Sequence, residues 1–225
     1  MTDTQTEQTE FTFEELSEKA KDKVRSSHAE NLIHEWWGDT YEYFKERGHE
    51  RGFELDSMHF RGFWSQGDGA MWTGEVRLKE FITYHLRDTD PDHHRYTVLL
   101  MLLEEDYIDG RINVEQRGFY YSHSGCMQFE TSQQGMVYDL ASSDEDTLHH
   151  DCVLKGANVY QLAEGIQYEE LLAKLDEWIE KEARGYADEL YDALEKEHEF
   201  LTSDEAITDS CDINGYRFTE DGDLI

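Results

Sequence analysis

Proline is nearly missing from this sequence: Pro91 is the only one in 225 residues. A chain so poor in the residue that stiffens linkers offers no compositional boundary between domains. A single domain over residues 11–225 is therefore expected, after a polar, patternless tail over residues 1–10 that reads as disordered. Apolar runs are scarce too, the longest being Val98–Leu103, far short of the roughly 18 residues a membrane span requires. Cysteine is limited to Cys126, Cys152 and Cys211, an odd count at wide spacing, so reduced thiols are expected instead of a disulfide framework. The first ten residues, MTDTQTEQTE, have neither the basic start nor the apolar core of a secretory signal, and a cytoplasmic location is expected.

Basic residues are the largest deficit. Twenty stand against 52 acids, for a net charge of -32. A field of that sign repels phosphate backbones and anionic lipid and attracts basic surfaces, which excludes direct nucleic-acid and membrane binding and leaves basic or nucleic-acid-binding proteins as expected partners. Disorder does not account for the charge, because 13% aromatic and 38% hydrophobic residues supply a core. Residues 164–225 hold 20 acids and 5 bases, so nearly half of the excess lies in the last segment.

The periodicities point to an α+β fold, an antiparallel sheet of hairpins packed against several helices, with an acidic helical C-terminal segment. Thr12-Phe13-Glu14-Glu15 has the pattern of a capping box and predicts a helix to about Ser27. A second helix, about Ala29 to Glu46, would carry Ile33, Trp36, Trp37, Thr40, Tyr41 and Phe44 on one stripe. The period then changes to two. Met58, Phe60, Gly62 and Trp64 share one face, as do Ala70, Trp72, Gly74, Val76 and Leu78. A loop centred on Gly67 would set Trp72 over Gly62 and Phe60 over Gly74, each ring covering a glycine. Asp90-Pro91 reads as the start of a helix to about Tyr107, and Asp109-Gly110 as a turn. Short strands are expected at Ile112–Gln116, Phe119–Ser122, Cys126–Glu130 and Met136–Leu140, and a surface loop at Ser142–Asp151. A helix from Tyr168 to Phe200, broken near Gly185, buries Ala183, Ala187, Leu190, Leu194 and Leu201. Opposite them run Asp188, Asp192, Glu195 and Glu199, an acidic row. Ser203 caps a further helix to about Ile213, closed by Asn214-Gly215, and Tyr216–Thr219 is a terminal strand.

Several patterns invite chemistry. In the loop Ser65–Gly69, backbone amides could cradle a phosphate, but no Gly-Lys-Ser/Thr ending follows and Asp68 would repel an anion. A structural hairpin turn is the preferred reading, with Gln66, Gly67, Asp68 and Gly69 as the alternative ligand or partner loop. Asp88, Asp90 and Asp92 alternate like calcium ligands, yet His93 stands where glycine is needed and Leu99 where the bidentate glutamate belongs, so helix capping is expected. His123 with Cys126 and His149 with Cys152 could supply four zinc ligands, in an order matching no known finger or ribbon. No metal or cofactor is assigned. The His123 and Cys126 pair lacks an orienting third residue and a nucleophile elbow, so no catalytic residue is assigned either, and an enzyme is the least favoured class.

The fragments ELSEKAKDKV, HEWWGDTYE, GFWSQGDGAMWTGEV, LEKEHEFLTSDEAI and YRFTEDG together resemble a family of uncharacterised proteins encoded by tailed phages and prophages. Met71-Trp72 departs from the small residue and phenylalanine of those relatives, and His198-Glu199-Phe200 from their Tyr-Glu-Tyr, both swaps that preserve packing. The resemblance implies a phage origin and an accessory or host-takeover role, without any activity to carry over. With the acidic row, it gives the expected function: an inhibitor of a host nucleic-acid-binding or defence protein by DNA-like charge mimicry, Asp188, Asp192, Glu195 and Glu199 facing the partner. The alternatives are a salt-adapted accessory protein working through the aromatic hairpin, and an enzyme.

Overall fold

The computed structural model describes residues 9–31, 36–104, 108–118, 120–132, 136–138 and 168–225. In chain order these form α1 (Glu18–Asn31), α2 (Gly38–Glu50), β1 (Phe53–Arg61), β2 (Gly69–Arg77), α3 (Leu78–His85), α4 (His93–Glu104), β3 (Ile108–Gln116), β4 (Met127–Phe129), β5 (Met136–Tyr138), α5 (Tyr168–Leu201) and α6 (Asp204–Asn214), with a 3-10 turn at Ser124–Cys126. The class is α+β. Two compact units divide it: residues 1–40 with 192–225, and residues 41–191.

In the smaller unit, Phe13, Leu16, Ala20, Val24, Ile207, Cys211 and Phe218 form one buried cluster with Phe11 against it. Thr12 and Glu15 do make half of a capping box, the Thr12 amide donating to Glu15 Oε2 at 2.9 Å. The box closes a turn, however, and the helix starts five residues later than its pattern suggests, at Glu18, with Ser17 Oγ accepting from the Ala20 amide. Ser203 caps α6 as expected by accepting from the Ala206 amide, and Gly215 ends it at a φ of 67°. Tyr216–Thr219 is not a strand; Phe218 alone makes isolated antiparallel bridges, to Phe11 and to Leu224.

The larger unit is built on an antiparallel sheet in the order β1-β2-β3-β4, with β5 on the first residues of β3. One face carries Phe53, Leu55, Met58, Trp72, Val76, Ile112 and Val114, all buried, against the apolar stripe of α5. Trp72 and Tyr186 each end in a hydrogen bond, to the carbonyls of Ala183 at 3.2 Å and Phe44 at 2.6 Å. The polar ends of the two rings are thus satisfied inside the core.

The hairpin register differs from expectation. Met58 faces Trp72, Leu55 faces Gly74 and Phe60 faces Ala70, with a bulge between Leu55 and Ser57. Neither ring covers a glycine. Gly74 is small for another reason: a Cβ there would lie 2.0 Å from the Glu54 carbonyl oxygen, where the bulge pushes β1 towards it. Asp109-Gly110 is not a turn, since both residues pair with β5. Leu78 opens α3, an unexpected helix, instead of ending β2. Asp90 and Pro91 lie in a turn before α4, which begins at His93. Trp36 and Trp37 precede α2 in a turn instead of lying within it. Tyr120–Ser122 is not a strand, and α5 runs through Gly185 without a break. The expected loop Ser142–Asp151 lies outside the described residues.

Candidate functional site

The loop joining β1 to β2 is folded around one carboxylate. Asp68 Oδ2 accepts from the amides of Trp64 at 2.9 Å and Ser65 at 2.6 Å, while the Asp68 amide returns to the Ser65 carbonyl at 3.1 Å. Asp68 therefore organises the loop from within, which favours the turn reading of these residues. Gly62 permits it, with a φ of 53° and a virtual Cβ only 2.6 Å from Oδ2.

Gly67 and Gly69 have a separate cause. At φ 95°, Gly67 turns the chain, and a Cβ on it would meet the Tyr121 ring at 2.9 Å; a Cβ on Gly69 would meet that of His123 at 2.5 Å. The segment Tyr120–His123, remote in sequence, thus lies directly on the glycines. It is tied there by the Arg61 guanidinium, which donates to the Tyr120 carbonyl, and by Gln116 Nε2, which donates to the Tyr121 carbonyl at 3.1 Å. Between loop and segment is a cleft of about 400 Å³ lined by Arg61, Ser65, Gln66, Gly67, Asp68, Tyr120 and Tyr121. Trp64 and Tyr120 are 79% and 80% exposed, Tyr121 54%. Tyr120, Tyr121 and Arg61 are the site residues that sequence reasoning missed; the Phe-Tyr-Tyr run between Gly118 and Gly125 is the signal that could find them, although it also fits the strand expected there.

Beside the cleft, the Gly125 amide donates to His123 Nδ1 at 3.1 Å, which places the proton of the neutral ring on Nε2, 3.4 Å from Cys126 Sγ. Cys126 is buried, and Arg184 fixes the turn around it through the carbonyls of Ser124 and Met127. His149 and Cys152, the other half of the zinc alternative, lie outside the described residues. Of the calcium-like aspartates, Asp92 is engaged by Arg95 and Lys174, each at 2.8 Å, and Asp90 accepts from the Arg87 amide.

The acidic row lies on α5. Asp188, Asp192 and Glu199 are exposed and Glu195 half-buried, opposite Ala183, Ala187, Leu190 and Leu194, all buried. None of the four makes an ion pair among the described residues, whereas Glu180 pairs with Arg184, Glu189 with Arg51 and Glu170 with Lys174. The hairpin reaches α5 at Tyr191, whose ring lies 5.5 Å from that of Phe63.

Residues 36–204, more than half of the chain, match the family described as a domain of unknown function, DUF8835, and the chain belongs to that family. No curated protein and no solved structure matches it. No helix among the described residues is long and apolar enough to cross a membrane.

Proposed function

We propose that this is a phage-encoded acidic binding protein that inhibits a host nucleic-acid-binding or defence protein by occupying its cationic groove in the manner of DNA. The observation carrying this reading is the alignment on α5: Asp188, Asp192, Glu195 and Glu199 share one face and make no ion pair among the described residues, while Glu180 and Glu189 on other faces are neutralised by bases. On a helix rising about 1.5 Å per residue, Asp188 and Asp192 stand about 6 Å apart, a separation close to that of successive phosphates. Such a row draws a basic surface from beyond contact range and loses that attraction as salt rises. Salt adaptation, the rival account of the acidity, has no need to align four acids on one face of a helix.

The test is displacement from DNA. Host proteins retained on a DNA matrix at low salt are washed with the protein and with a variant carrying Asp188→Asn, Asp192→Asn, Glu195→Gln and Glu199→Gln. Release of a defined basic protein by the wild type and not by the variant supports the reading. Equal release by both, or none by either, overturns it.

A further inference from the structure

A row of carboxylates attracts but does not grip, because each exposed charge contributes little once solvated and screened. An anchor needs rigid apolar area, and the cleft beside the hairpin supplies it. We propose that this cleft binds arginine side chains of a basic partner segment, the guanidinium stacking on the exposed rings of Tyr120 and Tyr121. The inference rests on the charge-mimicry reading for its partner, but on separate residues for its chemistry.

Four observations converge. The rings are presented to solvent on backbone that is already fixed: Asp68 holds the loop, Arg61 and Gln116 hold Tyr120 and Tyr121, and the two glycines let the segments close. Little conformational freedom is left to lose on binding. The net charge of -32 repels nucleotides and other anions that also stack on aromatics, and favours cations. Arginine suits the site better than lysine because its planar group stacks face to face and is less tightly hydrated. Asp68 spends Oδ2 on the loop amides, and Oδ1 accepts no hydrogen bond among the described residues, leaving an acceptor for a guanidinium edge. It also offsets Arg61, the only base among the described residues lining the cleft, whose guanidinium is committed to the Tyr120 carbonyl. The same fold already uses this contact internally, with Arg51 4.8 Å from the Tyr186 ring centre and Arg184 5.3 Å from that of Phe129.

Fluorescent peptides of alternating arginine and glycine, of lysine and glycine, and of glutamine and glycine serve as probes, with a neutral oligosaccharide as competitor. Binding is read by anisotropy at about 0.05 M and about 0.5 M salt, where the Debye length falls from about 14 Å to about 4 Å. The wild type should prefer the arginine peptide over the lysine peptide about three- to tenfold at the higher salt. Tyr120→Ala and Tyr121→Ala should erase that preference while leaving low-salt attraction in place, and Tyr120→Phe, which keeps the ring, should retain it. Absence of an arginine preference in the wild type, its survival in both alanine variants, or displacement of the peptide by the oligosaccharide would overturn the proposal. The quadruple row variant separates the two readings: it should weaken arginine and lysine peptides equally at low salt and keep their ratio. If it binds both as tightly as the wild type while the ring variants lose the preference, mimicry fails and the arginine cleft stands.

Discussion

The indole of Trp72, fully buried on β2, donates to the main-chain carbonyl of Ala183 on α5 across 3.2 Å. That bond fixes which way the largest core side chain points, and with it the seating of the helix on the sheet. Phe53 packs against the same ring, with centroids 5.4 Å apart. Trp72→Phe keeps the apolar contact but deletes the donor and part of the volume, and should cost about 1–3 kcal/mol. In a urea titration the midpoint should fall with the slope unchanged; an unaltered midpoint would show that the bond contributes nothing net.

Two glycines give opposite expectations from one substitution. Gly185 lies inside α5 with open space where a Cβ would stand, so Gly185→Ala should stabilise by about 0.5–1 kcal/mol through helix propensity alone. Gly74 has φ 147° and a backbone oxygen 2.0 Å from a virtual Cβ. Backbone cannot rotate aside as a side chain can, so Gly74→Ala should cost more than about 3 kcal/mol or prevent folding. Thermal melts of the two variants measure both signs in one experiment.

These elements differ in how legible they were. The buried and exposed sides of α5 could be read because alanines and leucines recur at helical spacing for four turns, and the α6 caps because Ser203 and Asn214-Gly215 are local signals. The register of β1 on β2 was not legible. It depends on a bulge at Asp56, and nothing in Glu54-Leu55-Asp56-Ser57-Met58 separates a bulged strand from a regular one. For α3, Leu78 prolongs the alternation of β2, and eight residues are too few for helical periodicity to outweigh it. The turn function of the hairpin loop was visible in its glycines and aspartate. Its cleft was not, because one wall comes from Tyr120 and Tyr121, remote in sequence, and the missing Cβ atoms of Gly67 and Gly69 acquire meaning only when that segment is laid over them.

Burial of His85 makes the larger unit sensitive to acid. Its ring lies between Phe81, at 4.5 Å, and Phe53, at 6.0 Å, and burial holds its pKa below the ordinary 6.5. Glu182, 3.9 Å away, pulls it back up, while the charges of Arg51 and Arg87 push it further down. In the interval between the lowered value and 6.5, the unfolded chain binds the proton and the folded one does not. Stability is therefore full above 6.5, declines as pH falls through that interval and levels off below it. His198, also depressed by burial, acts in the same direction. Urea midpoints taken on both sides of 6.5 should thus differ less in His85→Phe than in the wild type, and an equal difference would remove His85 from the account.

For the acidic row, stability and binding should move in opposite directions. Asp188 with Asp192 and Glu195 with Glu199 are like charges four residues apart, without ion pairs to basic residues among the described residues, and each such pair opposes the helix by about 0.2–0.5 kcal/mol. Converting all four to amides should raise the urea midpoint slightly at low salt, with the gain vanishing in about 1 M salt, where the Debye length is about 3 Å. A carboxylate that supported the fold would give the reverse, a loss of stability that salt does not erase. A row that strains its own helix and is nonetheless left unneutralised is what an electrostatic docking surface requires, so a variant that is more stable and displaces less from DNA would tie the strain to the function. A variant that is less stable would mean these side chains are engaged by the protein itself and are not free to meet a partner.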